Sequence, residues 1–213
     1  MKKSSVITTL FLDVGGVLLT NGWDHHARRR AAKHFKLNWA AMQERHELNF
    51  EIQEEDKITF QEYLDRVVFW QKRPFTRAEF RQFMFALSKP FTEMIELVRN
   101  LKAKYKLKVF VVSNEAREVN AYRIRQFKLD GFVDAFISSC FVHLRKPDAA
   151  IFRLALDIAQ VPARQIVYIE NTLLFVQIAG SLGIQSILHT DCKSTAAKLA
   201  AFGLQPGVNH ETQ

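Results

Sequence analysis

The chain has only two cysteines, Cys140 and Cys192, among 213 residues. They are too few and too far apart for a disulfide framework or a paired-cysteine metal site, and a reducing compartment suits them. The expected location is the cytoplasm. No apolar stretch reaches bilayer-spanning length, so no membrane contact is expected. Met1-Lys2-Lys3 before an apolar run imitates a signal peptide. That run is short, contains Asp13 and lacks a cleavage-site pattern, which argues against one. Internal repeats, low-complexity tracts, basic tails and zinc-finger spacings are all missing. Nucleic acid is therefore not an expected partner, although the formal charge is +8. The basic groups around Arg28-Arg29-Arg30, Arg73 to Arg81 and Lys102 to Lys108 read as solvated helix faces. Nothing in the chain selects an oligomeric state.

Hydrophobic residues make up 48% of the chain, enough for a sizeable core. The 18 phenylalanines fall mostly on helical stripes and read as packing. Residues 6 to 12 predict a strand that ends in Asp13, followed by Gly15-Gly16. A carboxylate at the end of an apolar run needs a charge partner or a chemical task. From Asp24 the pattern turns helical for over sixty residues. Asp24 and Asn38 are N-caps for helices over 25–35 and 39–49. Thr59 with Glu62, and Thr76 with Glu79, form capping boxes. Behind them run the stripes Phe60, Tyr63, Leu64, Val67 and Phe80, Phe83, Met84, Leu87.

From Pro90 onward helices and strands alternate. Strands are predicted over 107–112, 132–137, 166–169 and 184–188. Helices are predicted from Thr92, over 117–128, from Pro147 to about Gln160 with Ile151, Leu154, Ala155 and Ile158 inward, over 172–182 and over 194–202. The tail after Phe202 reads as loose. This alternation predicts an α/β fold, a doubly wound Rossmann-like parallel sheet with right-handed crossovers. An all-helical unit is inserted after the first strand. Residues 1–20 and 89–213 form the core, and 21–88 the helical insertion.

Strand after strand ends in polar residues: Asp13, then Ser113-Asn114, then Glu170-Asn171. In an open parallel sheet those ends share one edge, where ligands bind. Lys146 precedes Pro147 and a helix N-terminus, which favours anions.

Asp13-Val14-Gly15-Gly16-Val17-Leu18, Val112-Ser113-Asn114, Lys146-Pro147 and Ile169-Glu170-Asn171 together resemble the four motifs of the haloacid dehalogenase (HAD) superfamily. Their order and spacing match, over about residues 6 to 203. The helical insertion resembles that superfamily's C1-type cap, and the first motif reads DxGGVL. The resemblance implies a mobile cap and, for most members, a magnesium-dependent phosphatase acting on a small phosphorylated substrate. It makes Asp13 the nucleophile that forms an aspartyl phosphate. Ser113, with the backbone at Asn114, would hydrogen-bond phosphoryl oxygens, and Lys146 would balance charge. Asp13, the Gly15 backbone carbonyl and Glu170 would hold Mg²⁺, with Asn171 a further candidate.

The pattern is broken at Gly15, where the phosphatases carry a second aspartate that protonates the leaving group. Such help is worth about a hundred- to ten-thousand-fold in rate. His25 and His26, at the start of the insertion, are candidate replacements. Restoring the acid with Gly15→Asp should raise activity at least tenfold on poor leaving groups. The alternatives are a non-enzymatic phosphate- or metabolite-binding or regulatory protein, or a dehalogenase- or phosphonatase-like activity. The last would need a cap lysine, such as Lys33 or Lys57.

Overall fold

The computed structural model describes residues 6–205. Strand β1 (Thr9–Leu12) is followed by five helices: α1 (His25–His34), α2 (Trp39–Glu47), α3 (Phe50–Glu54), α4 (Phe60–Val67) and α5 (Arg77–Ala86). Then come α6 (Thr92–Tyr105), β2 (Lys108–Ser113), α7 (Arg117–Gln126), β3 (Ala135–Ser138), α8 (Ser139–Val142) and α9 (Ala150–Ala159). The chain continues through β4 (Ile166–Glu170), α10 (Leu173–Ser181), β5 (Gln185–Leu188) and α11 (Cys192–Ala201).

The five strands are parallel, in the order β3-β2-β1-β4-β5. Each inner strand is an unbroken apolar run because both faces are covered. Leu10, Leu12, Val109, Val111, Val167 and Ile169 pack on one side with Met94, Val98 and Leu199 of α6 and α11. Phe11, Phe110, Val112, Ile166 and Tyr168 pack on the other with Ile151, Phe152 and Ala179 of α9 and α10. The strand order reverses between β1 and β4, so the crevice lies at their carboxyl ends. Leu12 pairs with Ile169, and the Asp13 N–H donates to Ile169 O at 3.0 Å, so Asp13 and Glu170 stand side by side there.

The helices α1 to α5 have a core of their own. Met42, Phe60, Tyr63, Leu64, Val67, Phe80 and Met84 are buried in it. Asp24 and Asn38 accept from the Ala27 and Ala41 N–H groups, and both capping boxes form. The chain leaves and re-enters the sheet domain side by side. Thr20 N donates to Lys89 O at 2.8 Å, and Phe91 N to Leu18 O at 2.9 Å.

Several details depart from the sequence reading. The first strand starts at Thr9 rather than at residue 6. The helix expected from Pro147 starts at Ala150, where Asp148 caps it by accepting from the Ala150 N–H at 2.8 Å. One of the free N–H groups at that helix end is thus taken by its neighbouring aspartate. Ile158 is 46% exposed, because the buried stripe passes from Ala155 to Ala159 and leaves it to one side. Short helices α3 and α8 were not anticipated. Arg28 is no solvated residue: it is buried, donating to Trp23 O at 2.6 Å and to Gln43 Oε1 at 3.0 Å. Among the described residues no helix is long and apolar enough to cross a membrane. The signal-like Met1-Lys2-Lys3, and the expected loose tail beyond Gln205, lie outside the described residues.

Candidate active site

The end of β1 delivers Asp13, which is 7% exposed. The chain then turns on Gly16, whose φ of +79° suits glycine. A Cβ there would also fall 2.1 Å from the end of the Asn171 amide. The end of β4 brings Tyr168 and Glu170 to the same face of the sheet, since they lie two residues apart. The loop after α8 contributes Lys146, which is 1% exposed. Its Nζ lies 2.8 Å from Asp13 Oδ1, 2.6 Å from Glu170 Oε2 and 3.1 Å from Tyr168 OH. All three ammonium donors are thus used. Tyr168 OH in turn donates to Glu170 Oε2, and Glu170 Oε1 accepts from the Thr172 N–H at 2.8 Å.

Burial pushes the Asp13 carboxyl up to about 6, with Glu170 adding to the rise, against the pull of the Lys146 charge. Burial disfavours the Lys146 ammonium, but Asp13 and Glu170 together outweigh it and raise its pKa. Burial, and then Glu170, carry the Tyr168 hydroxyl well above its ordinary value, so it stays a donor.

The Asn114 side chain has a task of its own. Its Oδ1 accepts from the Lys146 N–H at 2.9 Å and its Nδ2 donates to Lys146 O at 2.8 Å. The side chain clamps the Lys146 peptide, leaving Ser113 as the polar side chain of β2 beside Asp13. Ser113 Oγ accepts a long contact, 3.4 Å, from the Val14 N–H.

Asn171, with its amide nitrogen turned inward, reaches Gly15 O at 3.3 Å and Glu170 Oε1 at 2.9 Å. The Asn171 amide thus joins the Gly15 carbonyl to Glu170 Oε1. Among the described residues no cluster of three His, Cys, Asp or Glu side chains has metal-binding form. The oxygen donors present still suit Mg²⁺, which takes few carboxylates and keeps its waters. Rotating the Asn171 amide would offer its oxygen to the same space.

A cleft of about 550 Å³ separates these strand ends from the helical block. Its far wall includes Trp23, Arg28, His46 and Glu54. Trp23 Nε1 donates to Tyr63 OH at 2.6 Å, and Tyr63 OH lies 2.8 Å from His46 Nδ1. The indole can only donate, so the buried Tyr63 hydroxyl satisfies its own hydrogen on His46 Nδ1. His46 then carries its proton on Nε2. Burial, helped by Arg28, pushes its pKa down to about 3, so it stays neutral. His25 and His26 are exposed and do not line the cleft. His25 Nε2 accepts from Arg29 Nε at 3.0 Å, and its ring stands edge-on to Trp39 at 5.0 Å. Lys33 and Lys57 are also exposed and off the cleft, and Lys57 pairs with Glu55 at 2.7 Å.

Sequence reading missed the pair Glu115–Arg123, both buried, with Nη1 2.6 Å from Oε1. It also missed Glu54 and Arg145, where Arg145 Nη2 lies 3.0 Å from Glu54 Oε2. Neither pair has a local spacing signal. Tyr168 was more accessible, since period two puts it beside Glu170.

A doubly wound α/β protein with a carboxylate–lysine–carboxylate centre at its switch point, under a helical block, is a restricted class. The chain belongs to the haloacid dehalogenase-like hydrolase family, which matches residues 7–174. Among curated proteins none matches the chain in sequence. Solved structures of the same fold include the HAD family enzyme BT-2542 from Bacteroides thetaiotaomicron, 20% identical, with a TM-score of 0.72 over 87% of this chain and 95% of that one. BT-2542 has also been solved in complex with magnesium and inorganic phosphate. A predicted HAD-like family hydrolase from Porphyromonas gingivalis is 17% identical, with a TM-score of 0.73 over 92% and 98% of the two chains. The L-2-haloacid dehalogenase RSc1362 is 18% identical, with a TM-score of 0.63 over 85% and 86%. At these identities the likeness is one of fold.

Proposed function

We propose that the chain is a Mg²⁺-dependent phosphohydrolase of small phosphorylated molecules, with residues 21–88 serving as a C1-type cap. The observation that carries this reading is Lys146, whose buried ammonium joins Asp13 Oδ1 and Glu170 Oε2. By holding Oδ1, it directs the other oxygen of Asp13 toward a phosphorus atom in the cleft. Ser113 offers a hydroxyl to a phosphoryl oxygen. Asp13, Glu170, the Gly15 carbonyl and Asn171 would hold the metal ion. Bound Mg²⁺ would supply positive charge to the phosphoryl oxygens as negative charge builds on them. The phosphate and magnesium bound by BT-2542 support this choice over the dehalogenase reading. Exposed Lys33 and Lys57 give a phosphonatase reading no support.

The test is a panel of phosphate esters with and without Mg²⁺. Magnesium-dependent turnover that disappears in Asp13→Asn is expected. Halide release from 2-haloacids without metal would replace the proposal with dehalogenation. Saturable binding with no turnover would replace it with a binding protein.

A further inference from the structure

Gly15 leaves the site without an acid where one is expected, and the structure shows which groups are free to replace it. Most acidic side chains of the cleft are committed. Glu170 serves Lys146, Tyr168 and Thr172. Glu115 is paired with Arg123. Asp24 caps α1, and exposed Glu47 takes the Gln43 amide at 2.9 Å. His46 presents a neutral N–H.

Glu54 is paired as well, with Arg145, and what sets it apart is its place. It closes α3, in the helical block, and lines the same cleft as Asp13 and Lys146. Arg145 Nε and Nη2 both bond to Oε2, at 3.1 and 3.0 Å. Oε1 takes no hydrogen bond among the described residues. Arg145 directly precedes Lys146, whose peptide is clamped by Asn114. Glu54 is thereby fixed to the reaction centre through Arg145, Lys146 and Asp13 in turn.

We propose that Glu54 is the general acid and base of this site, supplied by the helical block instead of by the first motif. This rests on the phosphohydrolase reading. As an Asp13 oxygen bonds to phosphorus, the phosphorus–oxygen bond to the leaving group breaks. The Glu54 proton passes to that oxygen, and an alcohol leaves. A water then attacks the aspartyl phosphate and gives a proton to the Glu54 carboxylate. The bond between Asp13 and phosphorus breaks, releasing phosphate and restoring both side chains.

The surroundings suit the task. Burial pushes the Glu54 carboxyl up to about 7, although Arg145 draws it down. The charged and titratable groups facing it are Arg145 and Lys146 from the loop after α8, Glu115 after β2, Tyr63 of α4 and Glu51 of its own helix. An acid–base group works best with a pKa near the working pH.

Leaving-group dependence tests the proposal. An alkyl phosphate needs a proton on its leaving oxygen, and p-nitrophenyl phosphate does not. Glu54→Gln keeps an oxygen for Arg145 but has no proton to give. In the first turnover it should slow release of the alcohol from an alkyl phosphate about a hundredfold or more, and release of p-nitrophenol by less than about threefold. Glu51→Gln removes the other carboxylate bonded to Arg145, at 2.8 Å, and should leave both rates near those of the unaltered protein. Equal first-turnover losses on the two substrates with Glu54→Gln, or the same selective loss with Glu51→Gln, would overturn the proposal while leaving the phosphohydrolase reading intact. Failure of the unaltered protein to hydrolyse either ester with Mg²⁺ would sink both.

Discussion

A Cβ on Gly22 would fall 2.0 Å from Arg123 Nη2. The guanidinium has little freedom to move away. It bonds to Glu115 at 2.6 Å, to Ser88 Oγ at 3.1 Å and to Thr20 O at 3.1 Å. Thr20 and Ser88 flank the two places where the chain passes between sheet and helical block. Arg123 therefore fastens both crossings from α7, and Gly22 makes room for it. Gly22→Ala should cost about 1–3 kcal/mol through overpacking against a buried ion pair. At about 2–4 °C per kcal/mol for a chain of this size, thermal unfolding would report a clear fall in Tm. An unchanged Tm would mean that the guanidinium re-seats freely.

The Asn114 side chain is placed to position Lys146. Asn114→Ala removes both hydrogen bonds that fix the Lys146 peptide. A small displacement of a reacting group costs up to about a hundredfold in rate. Steady-state kinetics should therefore show kcat lower by at least about tenfold. The KM for the ester and the inhibition constant of inorganic phosphate should change much less. A rise in both constants with kcat preserved would assign the Asn114 side chain to phosphate binding instead.

The sheet was legible because its strands are covered on both faces and read as apolar runs, each ending in a polar residue. Asp13, Ser113 and Glu170 could be singled out because backbone topology alone brings strand ends together, and Lys146 because it is a cation directly ahead of Pro147 and a helix. The caps at Asp24, Asn38, Thr59 and Thr76 were legible because their signals span only three residues. The cleft's far wall was not. Glu54 meets Arg145 across 91 residues of sequence, and its helix is too short to show a period. Arg28 and Arg123 are buried by contacts with Trp23 O, Thr20 O and Glu115, which no local pattern encodes. The histidines misled for the opposite reason. His25 and His26 stand next to the first motif in sequence, whereas the cleft takes His46 through Tyr63.

Gly15→Asp is the direct way to restore the missing acid, and the sequence alone expects a tenfold gain from it. The surroundings of Gly15 lead to a smaller predicted gain. A Cβ on Gly15 would lie 2.9 Å from Asn21 Oδ1 and 4.0 Å from Arg123 Nη1. The amide can swing aside, but the carboxylate then lies within reach of a guanidinium. An opposite charge that close lowers a carboxyl pKa by about 1–3 units. The new group would be ionised at neutral pH, with no proton to give. Alkyl phosphate hydrolysis should gain less than about threefold, against the hundredfold or more that a working general acid brings. A gain of tenfold or above would show that Arg123 stays with Glu115 and that the new side chain turns to the leaving group.

Glu54 also makes stability depend on pH. Burial carries its carboxyl from an ordinary 4.5 to about 7 in the folded chain. Between those two values the folded state binds more protons than the unfolded one, so the unfolding free energy falls as pH rises. The favourable contribution is fully present below about 4.5 and gone above about 7. Glu54→Gln has no such dependence. Relative to the unaltered protein, the variant should therefore gain about 1–3 kcal/mol in stability between pH 5 and pH 8, at about 1.4 kcal/mol per pKa unit. Urea unfolding of both proteins at the two pH values measures the difference. A gap that does not change with pH would place the carboxyl at its ordinary value. It would then be a plain carboxylate bound to Arg145 at neutral pH, without a proton for the leaving group.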